Sequence, residues 1–130
     1  MKLIVAGSRI LRNREQVYRE LDERCHRITQ IVSGMALVWL WSRDPEVGGP
    51  DRYGHDWAVL RGIPVEKCPA VWDYKGAGFA RNDEMADYAD AALVFWDGKS
   101  TGTEDMIKRM KKRDKPVILI QDSPLDCLFS

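Results

Sequence analysis

Residues 91–103 read AALVFWDGKSTGT. The first half, Ala91–Trp96, is apolar throughout and lacks the alternation expected of a strand with one face in water. Continuous apolar runs of this length are typical of strands in a parallel sheet, because helices cover both faces. The second half contains Gly98 and Gly102 and leads into a segment with helical spacing of apolar residues. This strand, turn and helix predict an α/β fold.

The rest of the chain repeats the alternation of strand and helix. Four other short runs rich in β-branched residues predict strands at Leu3–Ala6, Ile28–Val32, Ile63–Glu66 and Pro116–Ile120. Apolar residues at helical spacing predict helices at Arg14–Arg27, Asp51–Arg61, Arg81–Tyr88 and Thr103–Arg113. Their apolar stripes are predicted to be Val17, Leu21 and Cys25 in the first helix and Tyr53, Trp57 and Leu60 in the second.

Parallel strands joined by helices require right-handed crossovers. We therefore expect a single Rossmann-like, doubly wound domain. Its mostly parallel five-stranded sheet has the order 3-2-1-4-5, with helices on both faces. This order places the first and fourth strands side by side at the switch point, where ligands bind in such sheets.

Length and composition limit the possible functions. The chain has 130 residues, which fits one domain at 1–122 and a short tail at 123–130. Lys and Arg together number 20, as do Asp and Glu, so no net charge attracts long nucleic acid or a membrane. The opening MKLIVAGSR is too short for a signal peptide or a membrane span, and a cytoplasmic location is expected.

The cysteines and histidines indicate neither a metal site nor a disulfide framework. Cys25, Cys68 and Cys127 form no CxxC pair, so reduced thiols are expected, the first two of them half-buried. His26 and His55 are interpreted as ordinary surface residues. No cofactor is predicted.

The loop after the first strand, Gly7-Ser8-Arg9, is a candidate part of a ligand site. Glycine permits close approach of the backbone, serine offers a hydroxyl, and arginine offers a planar fork suited to phosphate or carboxylate. A structural turn with a solvated arginine is the alternative interpretation of this tripeptide.

The loop after the fourth strand gives a stronger signal. Asp97 to Thr103 contains two glycines, three hydroxyls and a lysine directly before a helix. Free backbone N–H groups and the helix dipole favour an anion there, which predicts phosphate binding by Ser100, Gly102 and Thr103. The alternative is that Ser100 or Thr101 only caps the helix.

A third loop, Cys68 to Arg81, contains aromatic residues and glycines. Trp72 is interpreted either as one wall of a slot for a base or as part of the core. Arg81 and Asn82 stand at the predicted start of a helix, where they are expected to bracket a phosphate or a ribose.

Several blocks together resemble one known family: GSR after the first strand, VSG after the second, then GIPV, ARNDEMADYAD and FWDGKSTGT. The chain, up to about Ile120, resembles the YspA-like branch of the SLOG superfamily, which is related to the Lonely Guy phosphoribohydrolases and to DprA. This resemblance implies a Rossmann-like fold that binds nucleotides or nucleotide-derived signals, often as a homodimer. The residues that it places at the site are Gly7, Ser8, Arg9, Ser33, Gly34, Arg81, Asn82, Asp97, Ser100, Gly102 and Thr103.

Two features depart from that pattern. An insertion at 37–49 separates Ser33-Gly34 from a further matching block, DRYG at residues 51–54. The insertion carries Trp39 and Trp41 and is interpreted as a lid, a partner contact or core packing. Catalytic relatives have a GTxxE motif, and the position of its glutamate is Met106 in this chain. The neighbouring Glu104 points elsewhere on the helix, because adjacent helical residues differ by about 100°.

The sequence therefore predicts a module that binds a nucleotide-derived small molecule as a sensor or sequestering protein. The first alternative is a hydrolase or transferase acting on an N-glycosidic bond, with Asp97 or Glu84 as the catalytic carboxylate that steadies a cationic sugar. The second alternative is a protein-interaction module that uses Trp39 and Trp41. A homodimer is expected in each case.

Overall fold

The computed structural model describes residues 1–8, 11–34, 49–68 and 77–121, with Ala77 and Gly78 described by their backbone alone. The strands are β1 Lys2–Gly7, β2 Gln30–Ser33, β3 Val65–Lys67, β4 Ala91–Trp96 and β5 Val117–Gln121. The helices are α1 Arg14–Asp22, α2 Gly49–Arg61, α3 Ala77–Tyr88 and α4 Thr101–Lys112, with a 3-10 turn at Cys25–Arg27.

The five strands form one parallel sheet in the order β3-β2-β1-β4-β5, which confirms the predicted fold. The central pair is β1 and β4, whose register places Gly7 opposite Phe95. The two strands therefore end level with each other, and the loops that follow them emerge side by side.

Each face of the sheet has its own helices. Leu3, Val5 and Phe95 pack with α1 and α2, whereas Ile4 and Val94 pack with α3 and α4 on the opposite face. Right-handed crossovers explain the division. Helices α1 and α2 connect β1 to β2 and β2 to β3, toward one edge of the sheet, whereas α3 and α4 connect β3 to β4 and β4 to β5, in the opposite direction.

Close packing of α2 on the central strand depends on Gly54. A Cβ atom at this position would lie 2.6 Å from Cβ of Val5, so only glycine lets the helix backbone approach β1 at this distance. Tyr53 and Trp57, on either side of Gly54 along the helix, are 0% and 1% exposed.

Three details of the predicted packing are wrong. Helix α1 ends at Asp22, and Cys25, in the 3-10 turn that follows, is exposed rather than half-buried. Leu60 is 73% exposed, because Ala58 takes the buried position that follows Trp57. Helix α3 begins at Ala77, so Arg81 lies one turn inside it and not at its start. The strand boundaries differ from the predicted ones by at most two residues, and Cys68 is half-buried as expected.

In the described ranges, none of the helices combines the length and the apolar composition that crossing a membrane requires.

Candidate functional site

A cavity of about 400 Å³ opens at the carboxyl ends of β1 and β4. Its volume lies within the range of small-molecule sites, and its position is the switch point of the sheet. Its lining residues come from the end of β1, from the residue after β2, from the loop after β4, and from α2, α3 and α4: Ala6, Gly7, Ser8, Gly34, Asp51, Arg81, Asn82, Met85, Asp97, Ser100, Gly102, Thr103 and Met106.

Ser8 and Asp97 join the loops after β1 and β4. The Ser8 hydroxyl donates to Oδ1 of Asp97 at 2.9 Å and accepts from the Asp97 amide at 3.2 Å. The Ser8 amide in turn donates to the carbonyl of Phe95 at 3.0 Å. Because Ser8 is only 2% exposed, its main role is to hold the two loops together.

Asp97 also organises the turn that precedes α4. Its Oδ1 accepts hydrogen bonds from the amides of Lys99 and Ser100, each at 2.9 Å. Burial acts to raise the pKa of this carboxyl, but the bonds from Lys99, Ser100 and Ser8 outweigh burial and lower the pKa below its ordinary value of 3.8. Asp97 is therefore a carboxylate at neutral pH, and it can only accept hydrogen bonds.

The first turn of α4 presents backbone amides at the cavity. Ser100 is the N-cap residue, but its hydroxyl contacts the hydroxyl of Thr103 at 3.1 Å and makes no capping bond to the backbone. The first backbone bond of the helix runs from Glu104 N–H to the Ser100 carbonyl. The amides of Thr101, Gly102 and Thr103 precede that bond, where helices attract anions.

Arg81 lies against the end of β2. Its guanidinium donates to the Gly34 carbonyl at 3.0 Å and to the side-chain oxygen of Asn82 at 3.2 Å. A Cβ atom at Gly34 would lie 2.7 Å from a guanidinium nitrogen, so glycine allows this approach. The positive charge of Arg81 is thereby held at the cavity wall.

Asn82, which follows Arg81 on α3, supports the neighbouring helix α4. Its side-chain amide donates to the Gly102 carbonyl at 3.2 Å and to Asp105 Oδ2 at 3.0 Å, and the residue is 5% exposed. Asn82 was predicted to bracket a ligand. In the structure it lines the cavity, but its side chain positions the first turn of α4.

Asp51, in the first turn of α2, was not among the predicted site residues. Its Oδ1 accepts from the Ser33 hydroxyl at 3.2 Å and from the Gly34 amide at 3.3 Å. Ser33 is 1% exposed and is not among the residues that line the cavity, and its hydrogen bond helps to orient Asp51. The sequence signal for Asp51 was its place at the start of the DRYG block.

The lining is electrostatically mixed. Among its described residues, Asp51 and Asp97 are acidic and Arg81 is basic. Its apolar part includes Met85 and Met106, each 2% exposed. Nowhere in the described ranges do three or more His, Cys, Asp or Glu side chains gather as metal ligands.

The structure thus brings together most of the predicted site residues: Gly7, Ser8, Gly34, Arg81, Asn82, Asp97, Ser100, Gly102 and Thr103. Glu84 is exposed and does not line the cavity. Its charge acts on Cys68: burial raises the pKa of this thiol, and the charges of Glu66 and Glu84 raise it further. The predictions for Arg9, Trp39, Trp41 and Trp72 fall outside the described residues.

The comparisons with known proteins give one relative of similar length. The "Gene 61 protein" of Mycobacterium phage D29 is 30% identical to the chain over 131 residues, which cover 95% of the chain and 98% of that protein. No family model matches the chain, and no solved structure matches it. The name of the phage protein states no activity.

Proposed function

The chain belongs to the family of the phage D29 Gene 61 protein, and we propose that this family member binds a nucleotide or nucleotide-derived small molecule as a sensor or sequestering module. The phosphate of the ligand lies against the first turn of α4. We also propose membership of the YspA-like branch of the SLOG superfamily, which the sequence blocks described above support.

The observation that carries the proposal is the composition of one wall of the cavity. The amides of Gly102 and Thr103 precede the first helical hydrogen bond, and the guanidinium of Arg81 is fixed at the same cavity. A helix N-terminus attracts an anion through its N–H groups and its dipole, and arginine adds a full positive charge. Both favour phosphate.

The residue at the catalytic position of related enzymes favours binding without turnover. Met106 is buried and lines the cavity, at the position where GTxxE enzymes have a glutamate. The other predicted carboxylate, Glu84, lies outside the lining.

One observation favours the N-glycosidase as the second candidate. Asp97 is ionised and lines the cavity, so its charge is available to steady a cationic sugar. Chromatography after incubation with nucleotides, ADP-ribose and cyclic dinucleotides distinguishes the two functions. We expect every compound to be recovered intact, whereas a released base that is lost with Asp97→Asn identifies an enzyme.

The binding proposal is tested by thermal shift with the same compounds. We expect at least one phosphate-bearing compound to raise the melting temperature of the wild-type chain, and Arg81→Gln to lose most of this shift. Arg24→Gln is the matched control, because Arg24 pairs with Glu20 at the far end of α1. Indifference of the wild type to every compound contradicts the proposal.

The homodimer remains a proposal supported by the resemblance alone. Sedimentation velocity of the full chain tests it, and a monomer at all concentrations contradicts it. The protein-interaction alternative rests on Trp39 and Trp41, which lie outside the described residues.

A further inference from the structure

The two carboxylate oxygens of Asp97 differ in the number of hydrogen bonds that they accept. The Ser8 hydroxyl and the amides of Lys99 and Ser100 all donate to Oδ1. Among the described residues, none donates to Oδ2. Because Asp97 lines the cavity, Oδ2 is the acceptor that this carboxylate offers to a bound molecule.

A phosphate is the wrong partner for that oxygen. Two negative charges in contact repel each other, and the only described cation of the lining, Arg81, is bonded to Gly34 and Asn82 on the α3 side. Lys99, although only two residues from Asp97 in the turn, is exposed and does not line the cavity. The chemical group that suits Oδ2 is a neutral hydrogen-bond donor, and a sugar hydroxyl is such a group.

We propose that the site selects ligands with a hydroxylated sugar, and that Oδ2 of Asp97 accepts a hydrogen bond from a ribose hydroxyl. This inference rests on the proposed function, since the phosphate of the same ligand occupies the first turn of α4. The site then recognises two parts of a ribonucleotide: the amides of the first turn of α4 and Arg81 bind the phosphate, and Asp97 binds the sugar.

The test compares matched ligands on the full chain by isothermal titration calorimetry. The four ribonucleoside monophosphates are each paired with the 2′,3′-dideoxy counterpart, which keeps the phosphate and the base and removes the hydroxyls. We expect the wild type to bind at least one ribonucleotide about tenfold or more tightly than its dideoxy counterpart, the size of one hydrogen bond to a charged group.

Asp97→Asn isolates the role of Oδ2. The asparagine side-chain oxygen still accepts the bonds of the turn, and an NH₂ group replaces the second oxygen. We expect this variant to lose the preference for the ribonucleotide, with a ratio of affinities below about threefold. Asp90→Asn is the matched control, because Asp90 accepts from the Lys2 amide at the opposite end of the sheet.

The outcomes separate this inference from the proposed function. Equal affinity of the wild type for ribonucleotide and dideoxynucleotide overturns the sugar contact while leaving phosphate binding in place, and this result needs no variant. A preference that survives in Asp97→Asn also overturns the assignment to Asp97. The absence of binding by any nucleotide contradicts the proposed function itself.

Discussion

Ser8 and Asp97, 89 positions apart in the sequence, bind each other through two hydrogen bonds: the Ser8 hydroxyl donates to Oδ1 and accepts from the Asp97 amide. One residue follows β1 and the other follows β4. This pair holds the two central loops at a fixed separation, and the cavity lies between the elements that it joins.

Removal of the Ser8 hydroxyl is expected to destabilise the fold. Ser8→Ala leaves the Asp97 amide without its acceptor and takes one donor from Oδ1, at a site that is 2% exposed. A buried polar group left unsatisfied costs about 1–3 kcal/mol. Urea unfolding measures the loss. Thr29→Ala, which removes an exposed hydroxyl that accepts from the amino terminus, serves as the control, and an equal loss in both variants contradicts the role given to Ser8.

Two glycines are expected to respond in opposite ways to alanine. At Gly54 a Cβ atom would lie 2.6 Å from Val5, and Gly54→Ala is expected to destabilise by about 1–3 kcal/mol through overpacking. At Gly102 no atom lies within 4 Å of the added Cβ, and Gly102→Ala is expected to stabilise by up to about 1 kcal/mol through helix propensity. Denaturant unfolding of both variants measures the difference, and a Gly54→Ala variant as stable as the wild type contradicts the packing of α2 on β1.

Gly102→Asp separates stability from ligand binding. A carboxylate in the first turn of α4 favours the helix dipole by about 0.3–1 kcal/mol, yet it stands where the phosphate is proposed to bind. We expect unchanged or increased stability together with an at least tenfold loss of nucleotide affinity, measured by calorimetry. Thr101→Asp carries the same charge at a residue outside the lining and is expected to keep affinity within about fivefold. Equal losses in the two variants contradict the assignment.

The lowered pKa of Asp97 predicts a pH dependence of stability. A carboxyl whose folded pKa lies below its unfolded value stabilises the fold above the unfolded pKa, and this contribution disappears as the pH falls through the folded pKa. The ordinary value is 3.8. The difference in unfolding free energy between wild type and Asp97→Asn is therefore expected to be constant near neutral pH and to shrink below about pH 4. Urea unfolding across this range measures it, and a difference independent of pH contradicts the hydrogen-bonded carboxylate.

The strand order was predictable because few topologies satisfy alternating strands and helices with right-handed crossovers. Once β1 and β4 are neighbours, Gly7 and Asp97 must emerge at the same edge of the sheet. The confirmed meeting of these loops is thus a consequence of chain order and handedness and required no knowledge of side-chain contacts.

The contributions of Asp51 and of Ser33 were harder to predict. The segment 37–49 separates Asp51 from Ser33 in the sequence, so nothing local indicates that the two side chains bond. The start of α3 was also predicted wrongly, because Gly78 disfavours helix. Arg81 and Asn82 were therefore predicted to stand at the start of α3, whereas they lie one turn inside it. Leu60 was placed on the buried side by spacing alone, although the smaller Ala58 provides the contact with the core.

The central claim is that phosphate binds at the first turn of α4, beside the Ser8–Asp97 pair. The most direct test is a ¹⁵N–¹H NMR titration of the full chain with AMP and with ADP-ribose. We expect the largest shift changes at the amides of Gly102 and Thr103, with smaller ones at Ser8 and Asp97. Shift changes concentrated on the exposed end of α2, at Val59 and Leu60, or no changes with either compound, would contradict it.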